Sequence, residues 1–317
     1  MAIDIIRICG AMMIFLCHVC SESGSAVGSI LGQVFSVGVP VFFLLSGYLH
    51  SLKPAPQNIW KWYWKKCRRL LIPLYVFLII LALLHTIVGY RIRVPVWLQT
   101  IIPICGLTQN YISGCGHIWF LTHLLVCYLI TPFLQKYNPV HKITLILCFP
   151  LWFAIAMMLA YTIPAIWCTF FNSIFTYFIG FYVLPDLLKL QFHIALPVLG
   201  ALFSCLLRLG CRMIWDNTPF YNSVATNFSS VILATSIVTF IVKICAFNTN
   251  YPSRIISRSS ERTYEFYLVH YVFLNGVIRV RLVSHPLMSV LVALVFSIML
   301  AEIVFQLSNQ IERKIRG

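Results

Sequence analysis

The chain has 317 residues, of which 60% are hydrophobic and 10% are charged, and its mean hydropathy is +0.89. Because soluble domains carry about 25% charged residues, this composition excludes a soluble globular protein. The formal net charge of +15 would suggest nucleic-acid binding in a soluble protein. Here the basic residues lie in short loops between apolar segments, where membrane orientation and anionic headgroups account for them. We therefore expect no nucleic-acid partner.

Apolar segments of about 20 residues recur along the chain, which is typical of a polytopic helical membrane protein. The first segment lacks the features of a cleavable signal peptide and is predicted to stay as a helix. Lys and Arg are concentrated in the loops on the side of the N-terminus, which predicts that both termini are cytoplasmic. The fold class is all-α, with residues 1–317 as one integral membrane domain. The ten predicted transmembrane helices are 3–21, 28–49, 70–89, 117–135, 143–162, 165–184, 194–210, 224–247, 264–283 and 286–307.

The first predicted helix contains an acid, a base and a histidine, namely Asp4, Arg7 and His18. Arg7 and His18 are eleven residues apart, about 1100° at 100° per residue, so they share a face at a separation of about 16 Å. Asp4 lies one turn before Arg7 and is predicted to pair with it. Snorkelling of Arg7 and a structural hydrogen bond of His18 would explain both residues without a function. Their shared face favours a functional cavity.

The second predicted helix ends in a small polar motif and is followed by a basic segment. Ser46 and Tyr48 are candidates for substrate contact or for close helix packing. Residues 58–73, "NIWKWYWKKCRRLLIP", interleave Trp and Tyr with basic residues, as in an interfacial belt. The same residues suit the phosphates of a cytosolic donor. The candidate phosphate-binding residues are Lys65, Lys66, Arg68 and Arg69.

The middle of the chain contains a broken stretch and then a fourth helix with two histidines. Residues 95–116 contain several Pro and Gly and are predicted to form an interfacial or re-entrant loop. His117 and Trp119 are predicted to contact substrate. His123 lies about 120° around the helix from His117, so the two cannot face one small site. We expect His123 to be structural.

The ninth predicted helix has a polar aromatic stripe formed by Tyr264, Tyr267, His270 and Tyr271. Such stripes usually pack in a core, but a histidine among phenols on one face can also line a cavity. Tyr267 and His270 are the predicted substrate contacts on this helix.

Other residues that could carry chemistry are one acid and the cysteines. Glu302 in the last helix lacks a partner in sequence and is predicted to pair with a buried cation such as Lys243. The 12 cysteines lie mostly in apolar segments, where they act as small hydrophobic groups. We expect no metal site.

Five motifs occur along the chain in a fixed order. They are R-x10-H in the first helix, "VPVFFLLSGY", "KKCRRLLIPLY", "HIWFLTHLLVCYLITPFL" and "YEFYLVHYVFLN". In this order they resemble the acyltransferase-3 family of integral membrane O-acyltransferases, from Asp4 to about Asn275.

The resemblance implies a ten-helix bundle that transfers an acyl group, most often acetyl, from cytosolic acyl-CoA to sugar hydroxyls. The acceptors would be surface polysaccharides or lipid-linked glycans. It implies acetyl-CoA as a donor substrate, with no permanently bound cofactor. The expected location is the bacterial inner membrane, among membrane lipids and envelope-polysaccharide biosynthesis proteins. We expect no appended esterase-like domain.

The resemblance also assigns roles to residues. Arg7 and His18 correspond to the residues tied most strongly to activity. Because His18 lies across the membrane from the expected donor entry, we also predict a donor-bearing channel along the first helix, with Arg7 at its donor end. The basic pair corresponds to Arg68 and Arg69, but the family's R-x-x-R begins here with Lys65 or Lys66, which cannot bind phosphate bidentately. His18 could act as a general base or accept the acyl group transiently.

Two other classes of function remain open from the sequence. A transporter or flippase of a lipid-linked glycan would use polar helix faces and the broken stretch, although we find no inverted repeat. A receptor or scaffold would leave Arg7 and His18 without a role.

Overall fold

The computed structural model describes residues 1–91, 93–108, 110–136, 142–162, 165–247, 253–280 and 286–316. Within these ranges the chain is helical and contains no β-strand. The first eight α-helices are α1 (Ala2–Ser21), α2 (Ala26–Phe35), α3 (Gly38–Ser51), α4 (Ile59–Ile87), α5 (Val94–Ile101), α6 (Cys105–Thr108), α7 (Trp119–Lys136) and α8 (Lys142–Thr162). The others are α9 (Ala165–Phe178), α10 (Leu184–Leu187), α11 (Ala195–Trp215), α12 (Thr226–Phe247), α13 (Ser253–Glu261), α14 (Thr263–Asn275) and α15 (Pro286–Arg316). A 3₁₀ turn at Gly116–Ile118 and π-helical turns at Ile179–Val183 and Tyr221–Ala225 adjoin α7, α9 and α12.

The all-α polytopic fold is confirmed, and the predicted count of ten spans is approximate. Eight helical segments in the described residues are long and apolar enough to cross a membrane. The predicted span 264–283 is wrong in length, because α14 ends at Asn275. Its 13 residues rise about 20 Å, less than the roughly 30 Å hydrocarbon core. For 143–162 the backbone is helical, but the side chains of 142–150 lie outside the described residues.

The second predicted span is two helices, because the backbone breaks between α2 and α3. The Val37 N–H bonds to the Val34 carbonyl, at 3.4 Å, so the Gln33 carbonyl loses its usual helical partner. The Ser36 hydroxyl donates to Gln33 O at 2.7 Å, and the guanidinium of Arg208 on α11 donates to the same oxygen. Side chains thus satisfy the carbonyl that the break exposes, as apolar surroundings require.

Close backbone contact fixes α3 against the π-helical turn after α9. A Cβ on Gly47 would lie 2.9 Å from the Phe181 nitrogen, and one on Gly180 would lie 2.9 Å from Leu44 Cα. Only glycine permits this approach. For Gly47, in the motif Ser46-Gly47-Tyr48, close helix packing is therefore the correct interpretation.

The broken stretch before α7 is held by hydrogen bonds to α7. The Thr122 hydroxyl donates to Pro103 O at 2.7 Å and accepts from the Gly106 N–H at 3.1 Å. Irregular backbone is therefore supported by protein here, as predicted. Whether this segment lies at the interface or within the membrane remains a prediction.

The two ends of the chain lie at the same end of the bundle. Arg7, near the start of α1, and Arg313, near the end of α15, line one cavity. This agrees with the prediction that both termini share a side, and its assignment to the cytoplasm remains a prediction from the basic loops.

Candidate active site

Two cavities lie along α1, one near each end of the helix. The first, here called the basic cavity, has a volume of about 880 Å³ and includes Arg7. The second, here called the histidine cavity, has a volume of about 230 Å³ and includes His18. Charged residues lining the basic cavity are Arg7, Lys53, Lys65, Lys66, Arg69, Glu261, Glu265, Glu312 and Arg313. Polar and aromatic residues lining the histidine cavity include Ser36, His117, Trp119, Asn172, Ser173, Thr176, Asn227, Ser230 and Tyr267.

Aromatic side chains separate the two cavities. Phe43 lines the histidine cavity, Phe120 lines the basic cavity, and Tyr267 lines both. The ring centroids are 4.9 Å apart for Phe43 and Phe120, and 5.1 Å apart for Phe120 and Tyr267. We call these three residues the aromatic partition. The predicted open channel along α1 is therefore interrupted at this point.

Rings from three helical elements meet around His18. Its ring centroid lies 4.4 Å from that of Tyr271, 5.3 Å from that of His270 and 6.4 Å from that of His117. The rings of His117 and His270 are 4.9 Å apart. His270 packs behind His18 and is not among the residues that line the cavity. The predicted stripe on α14 thus supports His18, with Tyr267 as the stripe residue that reaches the histidine cavity.

Backbone carbonyls fix the protonation of two of these imidazoles. His117 Nε2 lies 3.2 Å from Leu268 O, and His270 Nδ1 lies 2.7 Å from Tyr267 O. A carbonyl can only accept, so each of these nitrogens carries the proton. The other ring nitrogens, His117 Nδ1 and His270 Nε2, are buried without a hydrogen-bond partner and are lone-pair acceptors in the neutral rings.

A buried hydrogen-bond chain orients Lys66 in the basic cavity. Thr131 donates to Cys127 O at 2.7 Å, so it accepts from the Tyr177 hydroxyl at 2.6 Å. Tyr177 must then accept from His50 Nδ1 at 3.0 Å. The remaining nitrogen, His50 Nε2, accepts from Lys66 Nζ at 2.6 Å. Each step follows from the first carbonyl, so Lys66 Nζ is the hydrogen-bond donor to His50 Nε2.

The rings of Trp62 and Tyr128 also flank Lys66, with centroids 5.3 and 5.1 Å from Nζ. Sequence analysis missed His50 because its partner lies 16 residues away, on another helix. The only sequence signal for His50 was that it lies in "SGYLHS", next to the predicted substrate contacts Ser46 and Tyr48.

The structure divides the predicted phosphate-binding residues. Lys65, Lys66 and Arg69 line the basic cavity, and Arg68 lines neither cavity. On a helix the first three fall within about 100° of one another, whereas Arg68 lies about 110° from their centre. Its Nε is buried without a hydrogen-bond partner.

The two candidates at the end of α3 also separate. Ser46 lines the basic cavity. Tyr48 lines neither cavity and packs against the apolar core formed by α3 and α12. Two residues correspond to about 200° on a helix, so Tyr48 faces away from Ser46.

Glu302 pairs with a cation as predicted, but the named partners are wrong in both ion pairs. The Asp4 carboxylate lies 3.4 Å from the N-terminal ammonium and acts on the Arg7 guanidinium only at longer range. Glu302 pairs with Arg262, whose Nε and Nη2 both donate to its carboxylate. Lys243 donates instead to Leu190 O at 3.2 Å.

His117, in the 3₁₀ turn before α7, and His123, on α7, face different surroundings, as predicted. His117 contacts the ring cluster around His18, whereas His123 Nδ1 lies 3.0 Å from the Ser173 hydroxyl. Trp119 lines the histidine cavity beside His117.

One acid and two thiols beside the cavities were not among the predicted site residues. Glu265 is buried at the basic cavity, and its Oε2 has no hydrogen-bond partner. Cys17 and Cys20 flank His18 with C-x-x-C spacing, and both are free thiols. Among the described residues, no group of His, Cys, Asp or Glu is arranged to hold a metal ion.

The sequence model of a family described as an acyltransferase domain, the acyltransferase-3 family, matches residues 2–305. No curated protein and no solved structure matches the chain.

Proposed function

Because the chain belongs to the acyltransferase-3 family, we propose that it is a membrane O-acyltransferase that moves an acetyl group from acetyl-CoA to a sugar hydroxyl. The observation that carries this proposal is the placement of Arg7 and His18. One helix, α1, brings a cation into a large basic cavity and an imidazole into a separate polar cavity. Family membership supports the acyltransferase activity, and the cavities support the donor and the acceptor.

The basic cavity suits the donor. Coenzyme A carries several phosphates, and Arg7, Lys65, Lys66 and Arg69 supply cations that bind them. The volume of about 880 Å³ is in the range of binding sites for large organic ligands. Three carboxylates also line this cavity, so its electrostatic potential is not positive throughout. Individual cations would therefore position the phosphates.

The histidine cavity suits the reaction centre. His18 takes the proton from the sugar hydroxyl, and the oxygen attacks the thioester carbonyl, forming the ester bond. The carbon–sulfur bond breaks, and the thiolate leaves and receives the proton from the His18 imidazolium. Transient acylation of His18 is the alternative route, in which the imidazole nitrogen attacks first and the sugar oxygen second.

The aromatic partition stands between the donor phosphates and His18. In this proposal the pantetheine arm passes between Phe43, Phe120 and Tyr267, so that the thioester reaches the histidine cavity. A narrow passage between rings favours a small acyl group such as acetyl.

The cellular setting follows from the fold and the expected substrates. A multi-pass membrane protein with its donor site beside both chain ends would take acetyl-CoA from the cytoplasm. We propose the bacterial inner membrane as its location, with a surface polysaccharide or lipid-linked glycan as acceptor. Envelope-polysaccharide biosynthesis proteins would be its partners.

A transporter of lipid-linked glycans is the second candidate, because two cavities with a partition between them also suit alternating access. Labelled acetyl-CoA separates the two functions. Membranes containing the protein should transfer [¹⁴C]acetyl to endogenous glycan, whereas membranes without it should not. A transporter would leave the label on acetyl-CoA, and this result would contradict the proposal.

A further inference from the structure

The histidine cavity has a wall of uncharged polar side chains that no motif identified. These side chains come from α9, α12 and the break before α3. We call them the acceptor wall, which consists of Ser36, Asn172, Ser173, Thr176 and Asn227.

The hydroxyl groups of the acceptor wall donate to the backbone. Ser36, Ser173 and Thr176 each donate to a carbonyl three or four residues earlier, at 2.7 to 2.8 Å. Each hydroxyl has one proton, so only its oxygen lone pairs remain for a ligand. Ser173 also accepts from His123 Nδ1 at 3.0 Å.

The amides of the wall follow the same pattern. Asn172 Nδ2 donates to Cys168 O at 2.7 Å and to Ser223 O at 3.4 Å, and Asn227 Nδ2 donates to the same Ser223 oxygen. Both N–H groups of Asn172 are therefore engaged. Asn172 is 4% exposed, and its Oδ1 is buried with almost no accessible surface and no hydrogen-bond partner.

Two other residues at the cavity have their polar atoms turned into the protein. The Tyr267 hydroxyl donates to His117 O, and His117 Nδ1 is buried with almost no accessible surface. Arg208 lies behind Ser230 and does not line the cavity, and its guanidinium donates to four protein oxygens. The wall therefore offers hydroxyl lone pairs to a ligand, while the Trp119 indole N–H and the Ser230 hydroxyl, which accepts from Arg208, remain as donors. Among the described residues that line the cavity there is no Lys, Arg, Asp or Glu.

The hydroxyls of a sugar can donate to these lone pairs and accept from the remaining donors. A carboxylate or a phosphate would bring an unpaired charge into a cavity without a lining cation, and burying an unpaired charge is costly. The volume of about 230 Å³ is below the roughly 300 Å³ at which drug-sized sites begin, which limits the cavity to one sugar ring.

We propose that the histidine cavity binds an uncharged, hydroxyl-rich sugar residue and excludes one that carries a carboxylate or a phosphate. This inference rests on the proposed function, because it specifies the acceptor at the same site. It predicts that the acylated residue of the glycan is a neutral sugar.

Saturation-transfer difference NMR on the protein in lipid nanodiscs tests this binding without any acyl donor. The probes are the methyl glycosides of glucose, galactose and mannose. Each is compared with the methyl glycoside of the corresponding uronic acid. We expect at least one neutral glycoside to bind and its uronate to bind at least tenfold more weakly. Equal binding of a uronate, or no binding by any neutral glycoside, would overturn the inference.

Two threonines provide a matched pair of variants. Thr176→Val removes an acceptor of the wall, and Thr86→Val removes the same type of hydroxyl, bonded to its own helix at 2.9 Å, on exposed α4. We expect Thr176→Val to weaken neutral-sugar binding about fivefold to tenfold, the worth of one hydrogen bond, and Thr86→Val to leave it unchanged. Equal weakening by both variants would overturn the role of the wall, and Ser36→Ala repeats the test if Thr176→Val does not fold.

The result is independent of the labelled acetyl-CoA test. Transfer of acetyl to a uronate would overturn this inference and leave the acyltransferase intact. Binding of a neutral sugar without acetyl transfer would support the wall and contradict the proposed reaction.

Discussion

Replacement of His18 by glutamine is expected to reduce acetyl transfer by about 10²- to 10⁴-fold, the contribution typical of a general base. Glutamine retains polarity and similar volume but cannot take a proton at neutral pH. The other imidazole that lines the histidine cavity, His117, donates to Leu268 O through Nε2, and its Nδ1 is buried, so it does not replace His18. The measurement is the initial rate of [¹⁴C]acetyl transfer in membranes with matched protein levels.

The control is His193→Gln, which makes the same chemical change at an exposed residue outside both cavities. It should retain the full rate. A His18→Gln protein that is folded and transfers acetyl at the wild-type rate would rule out both roles proposed for His18, base and acyl carrier.

Replacement of Lys66 by methionine is expected to raise the KM for acetyl-CoA by about 10- to 100-fold, with a smaller change in kcat. Charge-assisted hydrogen bonds contribute about 1.5–3 kcal/mol, and Lys66 is held in place by His50 for such a bond. His50→Phe should raise KM in the same direction but less, because the charge remains and only its orientation is lost. The measurement is the rate as a function of acetyl-CoA concentration.

Lys189→Met is the matched control, because Lys189 is exposed and pairs with Asp186 at 3.5 Å, away from the basic cavity. It should not change KM. An unchanged KM in Lys66→Met would show that the donor phosphates do not bind in the basic cavity near Lys66.

Features that depend on one helix alone could be predicted from the sequence. The angle between Arg7 and His18 follows from helix geometry, and the structure places the two residues in cavities along one helix. The same geometry separates His117 from His123. It also explains why Arg68 does not line the basic cavity with Lys65 and Arg69. In each case the period of the helix determines the outcome.

Features that depend on contacts between helices could not be predicted. Glu302 pairs with Arg262, 40 residues earlier, and not with Lys243, because the packing of α15 beside α14 brings them together. The aromatic partition likewise needs Phe43, Phe120 and Tyr267 from three helices. No local pattern encodes such a meeting.

The acceptor wall shows a further limit of sequence. Asn172 and Thr176 lie one turn apart on α9, a spacing that is common in membrane helices that only pack. In the proposal their role comes from the direction of their hydrogen bonds, which engages their donors with the backbone. That direction is fixed by backbone carbonyls and is visible only in three dimensions.

The central claim is that the acetyl group passes along α1 from a donor in the basic cavity to a sugar in the histidine cavity, at the other side of the membrane. Reconstituted vesicles test it directly, with acetyl-CoA outside and a neutral methyl glycoside that binds the protein trapped inside. The account predicts acetylated glycoside in the lumen, and none when both substrates are supplied outside only. Transfer between substrates that are both outside, without transfer into the lumen, would contradict it.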